Sequence, residues 1–267
     1  MKTFISIDDF NQNEIHQLWD SVHQITPLRL DKPIGWSFAG NGVRTRTTFI
    51  RAFQQSGLQY IELPNLLKSH EQVDELAGYL DPFYALYVIR EENHERLKAF
   101  AQASSRPVIN AMSAQAHPCE VLSDGFWIQH QFGDIYKPHI LLWGPKTNVF
   151  NSWYALAKVM GMQMSHYAPL SQRHQADWIQ YPEQIGGHYD LIVTDGWPEG
   201  FDDPRFCLTE ADLKTLGDPL LLPTPPVTVG HELQKPLSQY HRFVGYDQKQ
   251  WLLPVQRAII HFLLQHL

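Results

Sequence analysis

Gly40-Asn41-Gly42-Val43-Arg44-Thr45-Arg46-Thr47-Thr48-Phe49 lies between a short strand pattern, Ile34 to Phe38, and a helix pattern that puts Phe49, Ala52 and Phe53 on one face. A strand, a glycine-containing polar loop and an amphipathic helix in that order predict one step of an α/β fold. The loop brings together Arg44 and Arg46, each followed directly by a hydroxyl. It can offer backbone N–H groups, hydroxyls, a helix N-terminus and a guanidinium to one anion, with phosphate the obvious candidate. An isolated Arg-Thr-Arg is more often a solvated turn. Three later stretches supply the matching parts.

Working outward, the alternation continues in both directions. Upstream, Ile15, Leu18, Trp19, Val22 and Ile25 recur at helical spacing behind the capping candidates Asp9 and Asn11. Downstream, Gly57 is a natural helix stop. Tyr60 to Leu63 is a strand pattern, Val73 to Leu80 a helix, and Ala85 to Ile89 a buried strand ending at Arg90. Leu97, Phe100 and Ala101 mark another helix, and Pro107 to Asn110 another strand. The pattern restarts after Gly133-Asp134: strand His139 to Trp143, helix from Val149 to Val159, and strand Met162 to Tyr167. Past an ambiguous polar stretch, 169–187, come strands Tyr189 to Val193 and Leu220 to Leu222, a Pro-rich turn at 223–226, and a final amphipathic helix over 251–267.

This predicts an α/β protein of two lobes, each a parallel sheet flanked by helices, split as 1–133 and 134–267. The final helix, 251–267, is expected to pack back towards the first lobe. The strands are too few and too irregularly spaced for a barrel. Ligands of open parallel sheets bind beyond the C-terminal strand ends, where 40–46, Arg90 and the loop from Asn110 to Glu120 all fall and can converge.

Composition narrows the function. A net charge of −7 argues against general nucleic-acid binding. No apolar run is long enough for a membrane span and no secretory signal is apparent, and two cysteines, Cys119 and Cys207, make no disulfide framework. A cytoplasmic protein is expected. The fourteen histidines include no zinc-binding spacing, so neither a metal nor a cofactor is expected.

Several residues could carry chemistry. Arg90 ends an apolar strand, although an ion pair with Glu91 or Glu92 would also explain it. His117, in His117-Pro118-Cys119-Glu120, precedes the helix 121–130 and could donate to a developing oxyanion while Glu120 accepts from an amide. Cys119 is expected to pack rather than react. Asn148, where strand meets helix, either holds a carboxylate or caps the helix. Asp195 either holds an amino group or closes a turn. His231-Glu232 suggests nothing specific.

Taken together, these stretches resemble the aspartate/ornithine carbamoyltransferase family. Gly42-Val43-Arg44-Thr45-Arg46-Thr47-Thr48-Phe49 is similar to that family's Ser-Thr-Arg-Thr-Arg and following helix, and Val88-Ile89-Arg90 to its strand-end arginine. Pro107-Val108-Ile109-Asn110-Ala111 with His117-Pro118-Cys119-Glu120 resembles Pro-Val-Ile-Asn-Ala and His-Pro-x-Gln. Gly144 to Ser152 resembles Gly-Asp-x-Asn-Asn-Val-x-x-Ser, and Thr194 to Trp197 resembles Thr-Asp-x-Trp. The resemblance implies a carbamoyl-phosphate site of Gly42, Val43, Arg44, Thr45, Arg90, His117 and Glu120. In it Arg44 would hold the phosphate, while Thr45, Arg90 and His117 polarise the carbonyl. It implies an amino-acid site at Asn148 and Asp195, and a homotrimer with interfacial active sites.

There are departures. Gly42-Val43 stands where the family has Ser-Thr, and Glu120 where it has glutamine. Leu220-Leu221-Leu222-Pro223 replaces His-x-Leu-Pro, and Pro198-Glu199-Gly200 shortens the loop after the tryptophan. The carbamoyl-phosphate half is partly kept and the amino-acid half largely rewritten. Two functions follow. One is carbamoyl transfer to an amino acid or related amine other than standard ornithine or aspartate. The other is an inactive relative used for binding or assembly.

Overall fold

Asn11 caps the first helix, α1 (Gln12–Ser21), through a reciprocal box: its side chain accepts from Glu14 N while Glu14 accepts from Asn11 N. In this computed structural model, residues 2–24, 27–40 and 42–265 are described. Ile25, Asn41 and the last two positions of the expected final helix lie outside them.

The chain is an α/β protein with two parallel sheets flanked by helices. The first contains β1 (Ile34–Phe38), β2 (Tyr60–Glu62), β3 (Leu86–Arg90) and β4 (Val108–Met112) in the order β2-β1-β3-β4. Its helices are α2 (Val43–Gln55), α3 (Val73–Leu80), α4 (His94–Ala103) and α5 (Pro118–Phe132). The second contains β5 (Ile140–Trp143), β6 (Met164–Tyr167), β7 (Ile179–Gln180), β8 (Leu191–Asp195) and β9 (Leu220–Thr224) in the order β7-β6-β5-β8-β9. With it go α6 (Asn148–Met160), α7 (Glu210–Thr215) and α8 (Gly245–Lys249), and the last helix is α9 (Leu252–Gln265). Two compact units result: Met1–Asp124 with Gln250–Leu267, and Gly125–Lys249. That division falls inside α5, nine residues before the expected boundary between Gly133 and Asp134.

In the first unit the apolar face of α2 settles on β1: Trp36 stacks on Phe38 at 4.9 Å and meets Phe49 and Phe53 at 5.7 and 5.6 Å. Burying each such ring contributes about 1.5–3 kcal/mol. Gly35 is required between β2 and β3, because a Cβ there would stand 2.5 Å from the Tyr87 ring. Gly57 ends α2 at φ +70°, and Leu58 N donates back to Phe53 O at 2.9 Å. On α9, Arg257 donates to Val22 O at 2.8 Å and to Gln55 at 3.0 Å, and His261 meets Ser56 at 2.9 Å. These bonds dock α9 on α1 and α2, with Pro254 in its first turn.

Four details differ from the sequence reading. The stretch 43–49 is helix, not loop, leaving only a short turn after β1. α5 begins at Pro118 rather than Val121, since proline suits the first helical position. The ambiguous stretch 169–187 contributes β7 to a sheet edge. The helix α7 went unread, although Thr209 and Asp212 form a complete capping box that signals its start.

Candidate active site

β1, β3 and β4 are neighbours running the same way, so the segments after Phe38, Arg90 and Met112 leave one edge of the first sheet. Arg90 is the most informative residue there. Its guanidinium packs against the Phe38 ring at 5.2 Å and over Gly42, where a Cβ would sit only 2.8 Å from the Arg90 Cζ. The neighbouring acid does not neutralise it: Glu91 is buried and accepts from Lys68 at 2.7 Å and from Asn93 N at 3.0 Å. Among the described residues no carboxylate pairs with Arg90, and burial lowers its pKa with no opposing charge to raise it. A half-buried cation without a counter-charge, beyond the end of a parallel strand, is an anion site in waiting.

The first turn of α2 faces the same edge. Arg46 N donates to Gly42 O at 3.0 Å, so the N–H groups of Val43, Arg44 and Thr45 precede the first intrahelical bond. Arg44 is exposed, Thr45 is buried, and Val43 is 65% exposed. Arg46 takes a structural part, in an ion pair with Glu62 and against Phe38. Thr47 and Thr48 turn back on the helix and donate to the carbonyls of Val43 and Arg44. Of the hydroxyls in this stretch, only that of Thr45 could serve a ligand.

His117 and Glu120, one strand further on, are both buried at the start of α5. Their approach loop is braced: Asn110 donates to Ile5 O at 2.9 Å and to Ser113 Oγ at 3.2 Å, and Ser113 meets His94 at 2.8 Å. Cys119 is fully buried and its thiol pKa is raised by that burial, which rules out a thiolate nucleophile at neutral pH.

In the second unit, β5 and β8 are neighbours and present Gly144–Asn148 and Asp195 at one edge. Thr147, not Asn148, caps α6, its hydroxyl accepting from Phe150 N at 3.2 Å. Helix capping therefore does not account for Asn148, which occupies the first helical position. Two residues outside the sequence reading prove important here, Lys146 and the fully buried His166. Glu232 also gains a role: its buried carboxylate accepts from Trp197 N at 2.7 Å and Thr228 N at 2.6 Å. It ties the loop after Asp195 to the loop after β9. Glu232→Ala should cost about 2 kcal/mol in denaturant unfolding by stranding two amides, and Glu232→Gln clearly less. Equal losses in the two variants would mean that the amide bonds are not what Glu232 contributes. Among the described residues no cluster of His, Cys, Asp and Glu could hold a metal, and no helix is long and apolar enough to cross a membrane.

Residues 2–130 match the sequence model of a family domain described as "Aspartate/ornithine carbamoyltransferase, carbamoyl-P binding domain". The matched segment holds every residue assembled above at the edge of the first sheet. Residues 2–130 belong to the aspartate/ornithine carbamoyltransferase family. Among its relatives are an ornithine carbamoyltransferase of Halorhodospira halophila, 25% identical and covering 99% of both chains, and the anabolic ornithine carbamoyltransferase of Campylobacter jejuni, 26% identical and covering 98% of both. The fold matches the crystal structure of ornithine carbamoyltransferase from Burkholderia thailandensis with a TM-score of 0.89, at 21% identity over 99% of both chains. Within this family, Gly42 has a physical explanation. A serine Cβ would meet the Arg90 guanidinium, which occupies that space here and would have to move aside.

Proposed function

We propose that this protein transfers the carbamoyl group of carbamoyl phosphate to the amino group of an amino acid. The observation that carries the reading is the uncompensated Arg90 guanidinium lying against Gly42, at the N-terminus of α2. Arg44 and the first-turn amides of α2 hold the phosphate; Arg90, Thr45 and His117 bind the carbonyl oxygen and stabilise it as the carbon becomes tetrahedral. Glu120 accepts from the carbamoyl amide. The amine attacks, a C–N bond forms, the C–O bond to phosphate breaks, phosphate departs with that electron pair, and the amine loses a proton. No covalent enzyme intermediate is needed; orientation and preorganised positive charge suffice.

Asn148 and Asp195 engage the acceptor. Leu220, at the start of β9, stands where the family has the histidine of His-x-Leu-Pro, and that departure is the ground for proposing an acceptor other than standard ornithine or aspartate. The proposal includes a homotrimer acting in the cytoplasm: Val43, Tyr60 and Ile61 are exposed apolar residues at the start of α2 and on the sheet-edge strand β2, a surface that a second copy would cover.

Calorimetry with carbamoyl phosphate tests the first half of the reaction. Arg44→Ala and His117→Ala should each weaken binding about tenfold, the scale of one charge-assisted hydrogen bond. No binding by the parent at millimolar ligand would overturn the enzyme reading in favour of an inactive relative. Phosphate release across an amine panel then identifies the acceptor, and fastest turnover with ornithine or aspartate would overturn the altered-acceptor part.

A further inference from the structure

Lys146 stands three residues beyond β5 and two before Asn148, and it is held in place from both ends. Its backbone N–H donates to Gln172 Oε1 at 2.6 Å, and its ammonium sits 5.0 Å from the centroid of the Tyr154 ring. The ring itself is fixed. His166 meets Gly144 O at 2.8 Å through Nε2, and because a carbonyl can only accept, Nε2 carries the proton. Nδ1 then accepts from the Tyr154 hydroxyl at 2.7 Å, leaving the Tyr154 oxygen to accept from Tyr181 at 2.8 Å. The chain Tyr181 to Tyr154 to His166 to Gly144 therefore runs in one direction. It locks the wall behind Lys146 and the glycine at the start of its loop.

This framework supplies no counter-charge. Burial holds His166 down to about 4, so the imidazole is neutral at pH 7, and burial raises the Tyr154 pKa, so its hydroxyl stays protonated. Among the described residues the Lys146 ammonium has no carboxylate partner, and burial is the one influence on its pKa, downward. Three other cations of this unit are engaged: Arg205 with Asp203, Lys235 with Glu210, and Arg173 with the carbonyls of Ala168 and Pro182. Lys146 is half-buried, rigidly seated and beside the N-terminus of α6, whose dipole also favours an anion.

We propose that the Lys146 ammonium binds the carboxylate of the amino-acid acceptor and is a residue by which this chain prefers it over the corresponding simple amine. The assignment rests on the carbamoyl-transfer reading above and adds a specificity residue to it. One ammonium against an aromatic wall suits a monoanionic carboxylate. A dianionic phosphate would call for the arginines and amides of the first unit.

The test uses matched pairs differing by one carboxylate, with none left in the second member: ornithine and putrescine, lysine and cadaverine. The parent enzyme should favour the carboxylated member in kcat/KM. Lys146→Met keeps the aliphatic stem and should shrink that advantage about tenfold, through KM and not kcat, with Lys146→Arg restoring part of it. A parent that does not discriminate, or a Lys146→Met variant that keeps the full advantage, overturns the assignment. A second readout needs no turnover. The extent of Lys146 acylation by acetic anhydride, measured by peptide mass spectrometry, should fall with the amino acids and not with their decarboxylated partners. Equal labelling with and without the amino acids also overturns it. A parent that binds no carbamoyl phosphate defeats the reading of the reaction instead, and the labelling then decides the role of Lys146 alone.

Discussion

Arg90→Met is expected to lower kcat/KM for carbamoyl phosphate by about two to three orders of magnitude, the loss that follows removal of one preorganised oxyanion donor. Its effect on stability should run the other way from that of an ordinary structural arginine. Breaking a buried ion pair destabilises strongly because it leaves the partner charged and alone. Arg90 has no such partner among the described residues, since Glu91 is taken by Lys68 and Asn93. Removing the guanidinium therefore relieves a desolvation cost and strands nothing, while methionine still covers part of Phe38. The thermal midpoint should be unchanged or raised, so binding and stability separate in one variant. A clear fall in the midpoint, matched by a proportionate loss of activity, would mean that Arg90 serves the fold. Arg90→Lys keeps the charge but not the planar fork, and should recover only a fraction of the activity.

How much of this could be read beforehand depended on how locally each feature is encoded. β3 and β5 announce themselves because a strand buried on both faces is a continuous apolar run. The short strand β7 carries no such run, and its existence depends on pairing with β6, which is not a local property. The stretch 43–49 looked like a loop because glycine, arginine and threonine are all common in loops. It is helix because Phe49, Ala52 and Phe53 are buried on one side and the hydroxyls of Thr47 and Thr48 bond back to the preceding turn.

The candidate site followed the same division. Arg44, Thr45, Arg90 and His117 are readable as candidates because they end or follow strands, a position the alternation itself reveals. Their states are not. Whether Arg90 or Glu91 holds the free charge is decided by Lys68, twenty-odd residues away in sequence. Lys146 gave no signal at all, because a lysine in a polar turn is unremarkable until the aromatic wall behind it is seen. Glu232 was invisible for the same reason: its two amide partners come from separate loops.

Gly42→Ser provides the sharpest test of the first site, because the sequence and the structure predict opposite outcomes. The sequence comparison says that serine belongs here and that its hydroxyl would add a donor to the phosphate, worth about 1.5–3 kcal/mol. The structure says that the serine Cβ would lie 2.8 Å from both the Arg90 Cζ and the Phe38 Cε1, a separation real Cβ atoms essentially never show. The guanidinium is the end of a flexible side chain, so it gives way before the backbone of β1 does. What is gained is one hydroxyl; what is lost is the seat of a guanidinium proposed to donate to the reacting carbonyl. The net expectation is a fall of about a hundredfold in kcat/KM, approaching the loss in Arg90→Met. The two substitutions should then be strongly non-additive. In the Arg90→Met background nothing is left for the serine to displace except a pliable thioether, so Gly42→Ser should be neutral or favourable there. A serine that raises activity with Arg90 intact would show that Arg90 has a second productive seat, and that the space over Gly42 is incidental to catalysis.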